Sequence, residues 1–154
     1  MKRILFIVAM TSIVLISCKN SCNNSTESQD ALCASQEQME QIVRTLEYYA
    51  EGFRKGDGSI TAKAFAEHAH LSWVADGALQ TITVQTYCDR ISSRPADPAS
   101  YKILSCNILE DIATVSIELQ VGAGEVRHFY DIFAMVRVGN EWKIVSKIYH
   151  RRSL

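Results

Sequence analysis

Beyond Pro98 the hydrophobic residues recur with a period of two through four long segments, residues 101–109, 112–121, 125–138 and 141–150. Side chains alternate across a strand, so this period marks half-buried β-structure. The junctions Glu110-Asp111, Gly122-Ala123-Gly124 and Gly139-Asn140 are short enough to be turns between sequential strands. The default arrangement is an antiparallel meander. With 154 residues in all, no architecture of eight βα units fits around it.

The first half of the chain has a different period. From Gln36 to Arg54, Met39, Ile42, Val43, Leu46, Tyr49, Ala50 and Phe53 recur at spacings of three and four, which predicts an amphipathic helix ended by Gly56. Ser35 or a polar neighbour can cap its start. Gly56-Asp57-Gly58-Ser59 then turns the chain into a short second helix over residues 60–67. Residues 69–74 and 79–84 read as two strands joined at Asp76-Gly77, and residues 84–92 as a third helix. Arg94-Pro95-Ala96-Asp97-Pro98 closes that half, because proline interrupts regular structure. The sum is an α+β domain with three N-terminal helices on a curved, mainly antiparallel sheet. A sheet wrapped around helices leaves a cone whose open end is a natural ligand cavity.

The N-terminus belongs to a different physical class. Lys2-Arg3, an apolar run from Ile4 to Ile16, and Ser17-Cys18 have the layout of an export signal, and the run is too short for a spanning helix of ~20 residues. Leu15-Ile16-Ser17-Cys18 resembles the lipobox of bacterial lipoproteins, which implies lipidation at Cys18 and anchoring by several acyl chains. The expected organisation is therefore a signal peptide over residues 1–17, a lipidated Cys and flexible tether over 18–35, and a folded domain over 36–154. The expected location is the cell envelope, anchored and facing the periplasm.

Export permits disulfides, and Cys22, Cys33, Cys88 and Cys106 allow three pairings that spacing does not distinguish. Cys88 and Cys106 also fit as small buried apolar residues. Without Lys2 and Arg3 the sixteen basic residues fall to fourteen against seventeen acidic ones, so the exported part is mildly acidic. Such a charge gives no general attraction to nucleic acid.

The chemistry-bearing residues are few. No Gly-rich phosphate loop, HExxH motif or nucleophile elbow is present, and no cofactor or metal is expected. Strand parity places Arg127, Phe129, Asp131, Phe133, Met135 and Arg137 on one face, and Trp142, Ile144, Ser146, Ile148 and His150 together on the next strand. A carboxylate among Phe129, Phe133 and Met135 would have its charged form disfavoured, which suits a general base or a hydrogen-bonding acid. The alternative is a structural Asp131 paired with Arg127, Lys147 or a backbone N–H. His150, at the end of the sheet, is the second candidate for proton transfer. His68, His70 and His128 read as surface or structural residues. Tyr49, Trp73, Tyr87 and Tyr130 could line a cavity and stack on a planar ligand. The candidate ligand-binding set is Tyr49, Trp73, Tyr87, Phe129, Asp131, Phe133 and His150.

Several stretches resemble one family. They are Tyr49-Ala50-Glu51-Gly52-Phe53 leading to Gly56-Asp57, Phe65 with Ala69 and Leu71, Asp76-Gly77-Ala78-Leu79, Arg94-Pro95, and Tyr130-Asp131-Ile132-Phe133-Ala134-Met135-Val136 running into Gly139-Asn140-Glu141-Trp142-Lys143-Ile144-Val145-Ser146-Lys147-Ile148-Tyr149-His150. Over about residues 36–150 the chain resembles the NTF2-like superfamily, within it the "putative lumazine-binding" group near the SnoaL-like proteins. The resemblance implies a cone-shaped α+β domain. It departs where many relatives carry a His after the Phe, a position filled here by Ala66, so any role of that His is absent or moved to His68 or His70. A fold does not transfer an activity. Three functions remain in competition: an anchored domain binding a small apolar or planar ligand, a cofactor-independent acid/base isomerase, dehydratase or hydrolase of a small hydrophobic substrate, and a dimeric cell-envelope interaction module. The last rests on apolar residues on both faces of residues 101–106, which predict a homodimer through the sheet.

Overall fold

A computed structural model describes residues 24–152. Cys18, Cys22 and the expected signal peptide lie outside the described residues. The element order is α1 (Asn24–Lys55), α2 (Gly58–Ala62), β1 (Phe65–Ala75), β2 (Ala78–Thr83), α3 (Val84–Ser92), β3 (Ala99–Leu109), β4 (Ile112–Val121), β5 (Arg127–Val138) and β6 (Glu141–Arg152). Only α1 and α2 precede the sheet; α3 follows β2, so the three helices are not all N-terminal. The helix α1 runs through Ser35 and begins at Asn24, within the stretch read as tether. Phe65, placed by spacing in the second helix, opens β1 instead.

The six strands form one sheet in the order β2-β1-β6-β5-β4-β3. Every neighbouring pair is antiparallel except β1 with β6. That parallel pair brings the first strand beside the last and lets the meander and the β1–β2 hairpin share one concave face. Asp76 (φ 51°) and Gly77 (φ 75°) both occupy the left-handed region, and Ala75 pairs with Ala78 across them. Both central residues with positive φ make the turn whose twist suits a hairpin.

The helix α1 crosses the concave face with Ile42, Leu46, Tyr49 and Ala50 buried, meeting Leu71, Val115, Ile117, Phe133, Met135, Trp142 and Ile144. At its end Gly56 has φ 63°, and the Asp57 N–H donates to the Gly52 carbonyl at 2.9 Å, closing the last turn. A Cβ on Gly56 would lie 2.9 Å from the Ala96 nitrogen and 3.0 Å from the Arg94 carbonyl. The missing side chain thus lets the 94–98 loop lie against the helix end, where the Asp97 N–H donates to the Phe53 carbonyl at 2.9 Å. Gly58 does the same for α3, since its Cβ would stand 2.0 Å from the Cys88 carbonyl. These two contacts fix the height at which α3 and its following loop stand over the sheet.

Besides the register shift between Phe65 and His70 on β1, two single-residue bulges decide which residues of β3 and β6 face inward. Between β5 and β6, Ala134 pairs with Ser146 but Met135 pairs with Ile144, so Val145 is extra. Between β3 and β4, Ile103 pairs with Ile117 and Ser105 with Ser116, so Leu104 is extra. An unpaired residue reverses the alternation beyond it. On β6 the inward set is therefore Trp142, Ile144, Lys147 and Tyr149, and His150 does not continue the Trp142 face. On β3 Cys106 turns toward the core and Ser105 away. The exposed residues of β3 include Ser100, Lys102, Ser105 and Asn107 together with Leu104 at the bulge, which is 49% exposed. Cys88 is buried, Cys106 half-buried, and both are free thiols. Burial pushes the Cys88 thiol up to about 11.

Candidate functional site

Between α3, the 94–98 loop and the concave sheet lies a cavity of about 630 Å³. That is within the usual size of small-molecule sites. Its walls are apolar and aromatic. Trp73 on β1 stacks on Tyr149 on β6, centroids 5.3 Å apart and planes at 29°, and Phe129 on β5 meets Tyr149 edge-on at 6.3 Å. The three rings share the concave face because Ser72 pairs with Ile148 and Asp131 with Tyr149. Phe53, Ile82, Ile91, Leu119 and Val121 complete the apolar lining.

The floor is polar and closed. Lys147 is 3% exposed, and its Nζ lies 3.1 Å from Oδ2 of Asp131, which is 0% exposed. The same ammonium donates to the Tyr49 hydroxyl and, at 3.5 Å, to that of Tyr87. The Tyr49 hydroxyl donates to Asp131 Oδ2 at 2.7 Å and is 3.1 Å from the Tyr87 hydroxyl. Three rings surround the charge: Nζ is 4.9 Å from the Tyr49 centroid, 5.1 Å from Tyr87 and 4.7 Å from Tyr149. Ring quadrupoles favour a cation there. Burial still pulls the Lys147 ammonium below its ordinary value, against the attraction of Asp131. Burial, followed by the nearby Asp131 charge, raises the Tyr49 and Tyr87 hydroxyls well above theirs. Both tyrosines are thus held as neutral hydrogen-bonding groups.

The cluster resolves the alternatives for Asp131. Of the partners considered, Lys147 pairs with it, whereas Arg127 pairs with Asp97 at 2.6 Å. Asp131 and Tyr49 lie beneath the lining, and Lys147 and Tyr87 stand between them and the cavity. Phe133 is fully buried against Tyr49, centroids 5.3 Å apart, and is a core residue. Trp73, Tyr87 and Phe129 do line the cavity, and His150 touches it at the exposed rim. Tyr130 points to the convex side and is partly exposed. His68 and His70 are exposed and outside the lining; His128 lies 3.3 Å from Glu118 on the far face. Among the described residues no three His, Cys, Asp or Glu side chains are grouped to hold a metal.

Parity alone missed Lys147 and Tyr149 as cavity residues, and it gave no weight to the arginines. Arg90 from α3, Arg94 from the loop, Arg127 from β5 and Arg151 from β6 all reach the lining. The hint present in the sequence was the Arg127, Phe129, Asp131 alternation, which placed one arginine on the same strand face as Phe129 and Asp131.

A buried pair broken on one side leaves an uncompensated charge, costing ~3–5 kcal/mol, while joint replacement by apolar side chains is far milder. Urea unfolding of Asp131→Leu, Lys147→Met and the double variant should therefore show the double more stable than either single. Additive losses would mean that the two charges do not depend on each other.

Comparison with known proteins places this geometry. Residues 37–150 match the family model described as "Putative lumazine-binding". An NTF2-like protein of unknown function from Shewanella baltica is 30% identical, with a TM-score of 0.70 over 76% of this chain and 95% of that one. NTF-2-like proteins of unknown function from Silicibacter pomeroyi and Methylobacillus flagellatus share the fold at 19% and 20% identity, with TM-scores of 0.65 and 0.63. They cover 77% and 75% of this chain and 98% and 93% of theirs. No curated protein matches the sequence. A six-stranded curved sheet folded over a long helix, with these matches along its length, makes the chain a member of the lumazine-binding-type group of the NTF2-like family.

Proposed function

We propose that the domain binds one small, largely apolar or planar molecule in the cavity above Lys147. The observation that carries this reading is the combination of a 630 Å³ cavity with three flat rings, Trp73, Phe129 and Tyr149, along its wall. The name of the family refers to a planar bicyclic heterocycle, which is the shape class that such walls stack on. Binding is favoured over proton transfer because Asp131, the base that an acid/base reaction would use, is fully buried outside the cavity lining, with Oδ2 on Lys147 and Tyr49. Ring stacking contributes about 0.5–1.5 kcal/mol beyond area burial, roughly two- to tenfold in affinity. Titration with the neutral fluorophore N-phenyl-1-naphthylamine should saturate at one equivalent, and Trp73→Ala, which also removes the ring's contact area, should weaken it by at least that factor. A variant that binds as tightly as the parent would remove Trp73 from the site.

A second reading concerns the convex face, which we propose joins two copies of the domain. Ser72, Ile148, Ile132 and Ser116 lie in register across β1, β6, β5 and β4 without a charge among them. Ile132 is 46% exposed and Ile148 51%, with Tyr130 beside them. A contiguous apolar patch of this kind marks an association surface. Sedimentation should show a dimer at micromolar concentration and a monomer for Ile132→Lys; a parent that stays monomeric would end this reading.

We also propose that the chain is exported and held to the cell-envelope membrane through lipid on Cys18, with the lipobox-like Leu15-Ile16-Ser17-Cys18 as support. Cys18→Ser in the full-length chain should abolish incorporation of labelled palmitate and move the protein out of the membrane fraction. Retention of label would exclude Cys18 as the lipidated residue.

A further inference from the structure

The charges at the cavity mouth are not balanced. Arg90, Arg94 and Arg151 are exposed residues that still line the cavity, so their guanidinium-bearing side chains stand around its opening. None of the three has a carboxylate partner among the described residues, although the chain as a whole carries a formal charge of -1 and has seventeen carboxylates to offer. The single acidic residue in the lining, Asp97, is held by Arg127 at 2.6 Å. Lys147 at the floor is neutralised by Asp131. The floor is thus electrically closed and the mouth is left cationic.

These arginines arrive from separate elements by separate devices. The Val145 bulge turns Arg151 to the concave side together with Lys147 and Tyr149. Arg90 sits in the last turn of α3 and is close enough to Tyr149 to act on its hydroxyl. Arg94 is positioned by the loop packed on Gly56. A solvated surface face would scatter such residues among carboxylates, as Arg54 is placed between Glu47 and Glu51 elsewhere in this molecule. Guanidinium groups with their donors unfilled are the usual partners of carboxylate, sulfonate or phosphate oxygens.

We infer that the molecule bound here is amphipathic and acidic, with an apolar or planar body against Trp73, Phe129 and Tyr149 and an oxyanion group held at the mouth by Arg90, Arg94 and Arg151. This rests on the cavity being a binding site and adds the chemical class of its ligand. The path inward is then a sequence of cationic rim, aromatic wall and neutral hydrogen-bonding floor. The ligand enters body first and its acidic group stays partly hydrated.

The test compares two fluorophores of nearly the same shape on the intact folded protein: 8-anilino-1-naphthalenesulfonate, which carries a sulfonate, and uncharged N-phenyl-1-naphthylamine. Only binding lost in Ile82→Trp, which fills the cavity, is counted. The sulfonate should bind about tenfold more tightly at low salt, and that preference should shrink at 0.5 M salt, where the Debye length falls to a few ångströms. The triple variant Arg90→Gln, Arg94→Gln, Arg151→Gln should bind both probes equally. Equal binding by the parent, or a preference that survives the triple substitution, overturns the acidic-ligand inference and leaves the cavity reading standing. Failure of both probes to bind the parent overturns the cavity reading itself, and the inference with it.

Discussion

A single buried ammonium organises the interior. Lys147 sits 3% exposed among three tyrosine rings and stays there because Asp131, Tyr49 and Tyr87 replace the water it has lost. Isolated, such a charge would cost several kcal/mol, so each partner is held in place by the penalty of moving away. Those partners come from α1, α3 and β5, and Lys147 itself from β6. One charge therefore ties the long helix, the short helix and two central strands to a common point. The aromatic contacts around Tyr49, with Phe53, Phe65, Tyr87 and Phe133, make the same junction from the apolar side.

This junction also determines what the cavity offers. Asp131 is an anchor whose Oδ2 holds Lys147 and Tyr49 while its Oδ1 is buried without a hydrogen-bond partner beneath the lining, and the surfaces left to interact with a guest are rings and guanidinium groups. A polar group of the guest that reached the floor would meet Tyr87 and Lys147, both already hydrogen-bonded. Selectivity then falls to the flat walls and to the charge at the rim. The fold supplies the depth, since α3 and the 94–98 loop are held above the sheet by the close approaches at Gly58 and Gly56.

Much of the architecture was legible in the chain. Each of the four C-terminal strands, the Asp76-Gly77 hairpin, α3 and the division of β5 into two faces follow from period and turn chemistry, and Asp131 was picked out as a carboxylate among apolar neighbours. The start of α1 and the end of α2 were less legible. Polar residues 24–35 lack the amphipathic stripe that identifies the rest of α1, and Phe65 fits helical spacing as well as it fits a strand. His150 does reach the cavity rim, but the strand face assigned to it was wrong for a different reason. Parity was carried through Val145 as though the strand were regular, and the same step at Leu104 misassigned Ser105 and Cys106.

The sequence by itself determined the class of fold, the strand faces up to each bulge, and the family. Those depend on local periodicity and on turn residues, which act over a few positions. The tertiary structure alone decided that Lys147 and Tyr149 face inward, that Asp131 is closed off beneath them, and that arginines from α3, the 94–98 loop, β5 and β6 line one cavity. A bulge is set by how two strands must bend to close around a helix, and no short stretch of sequence records that requirement. The convergence of charges is a property of distances between segments far apart in the chain, which only packing creates.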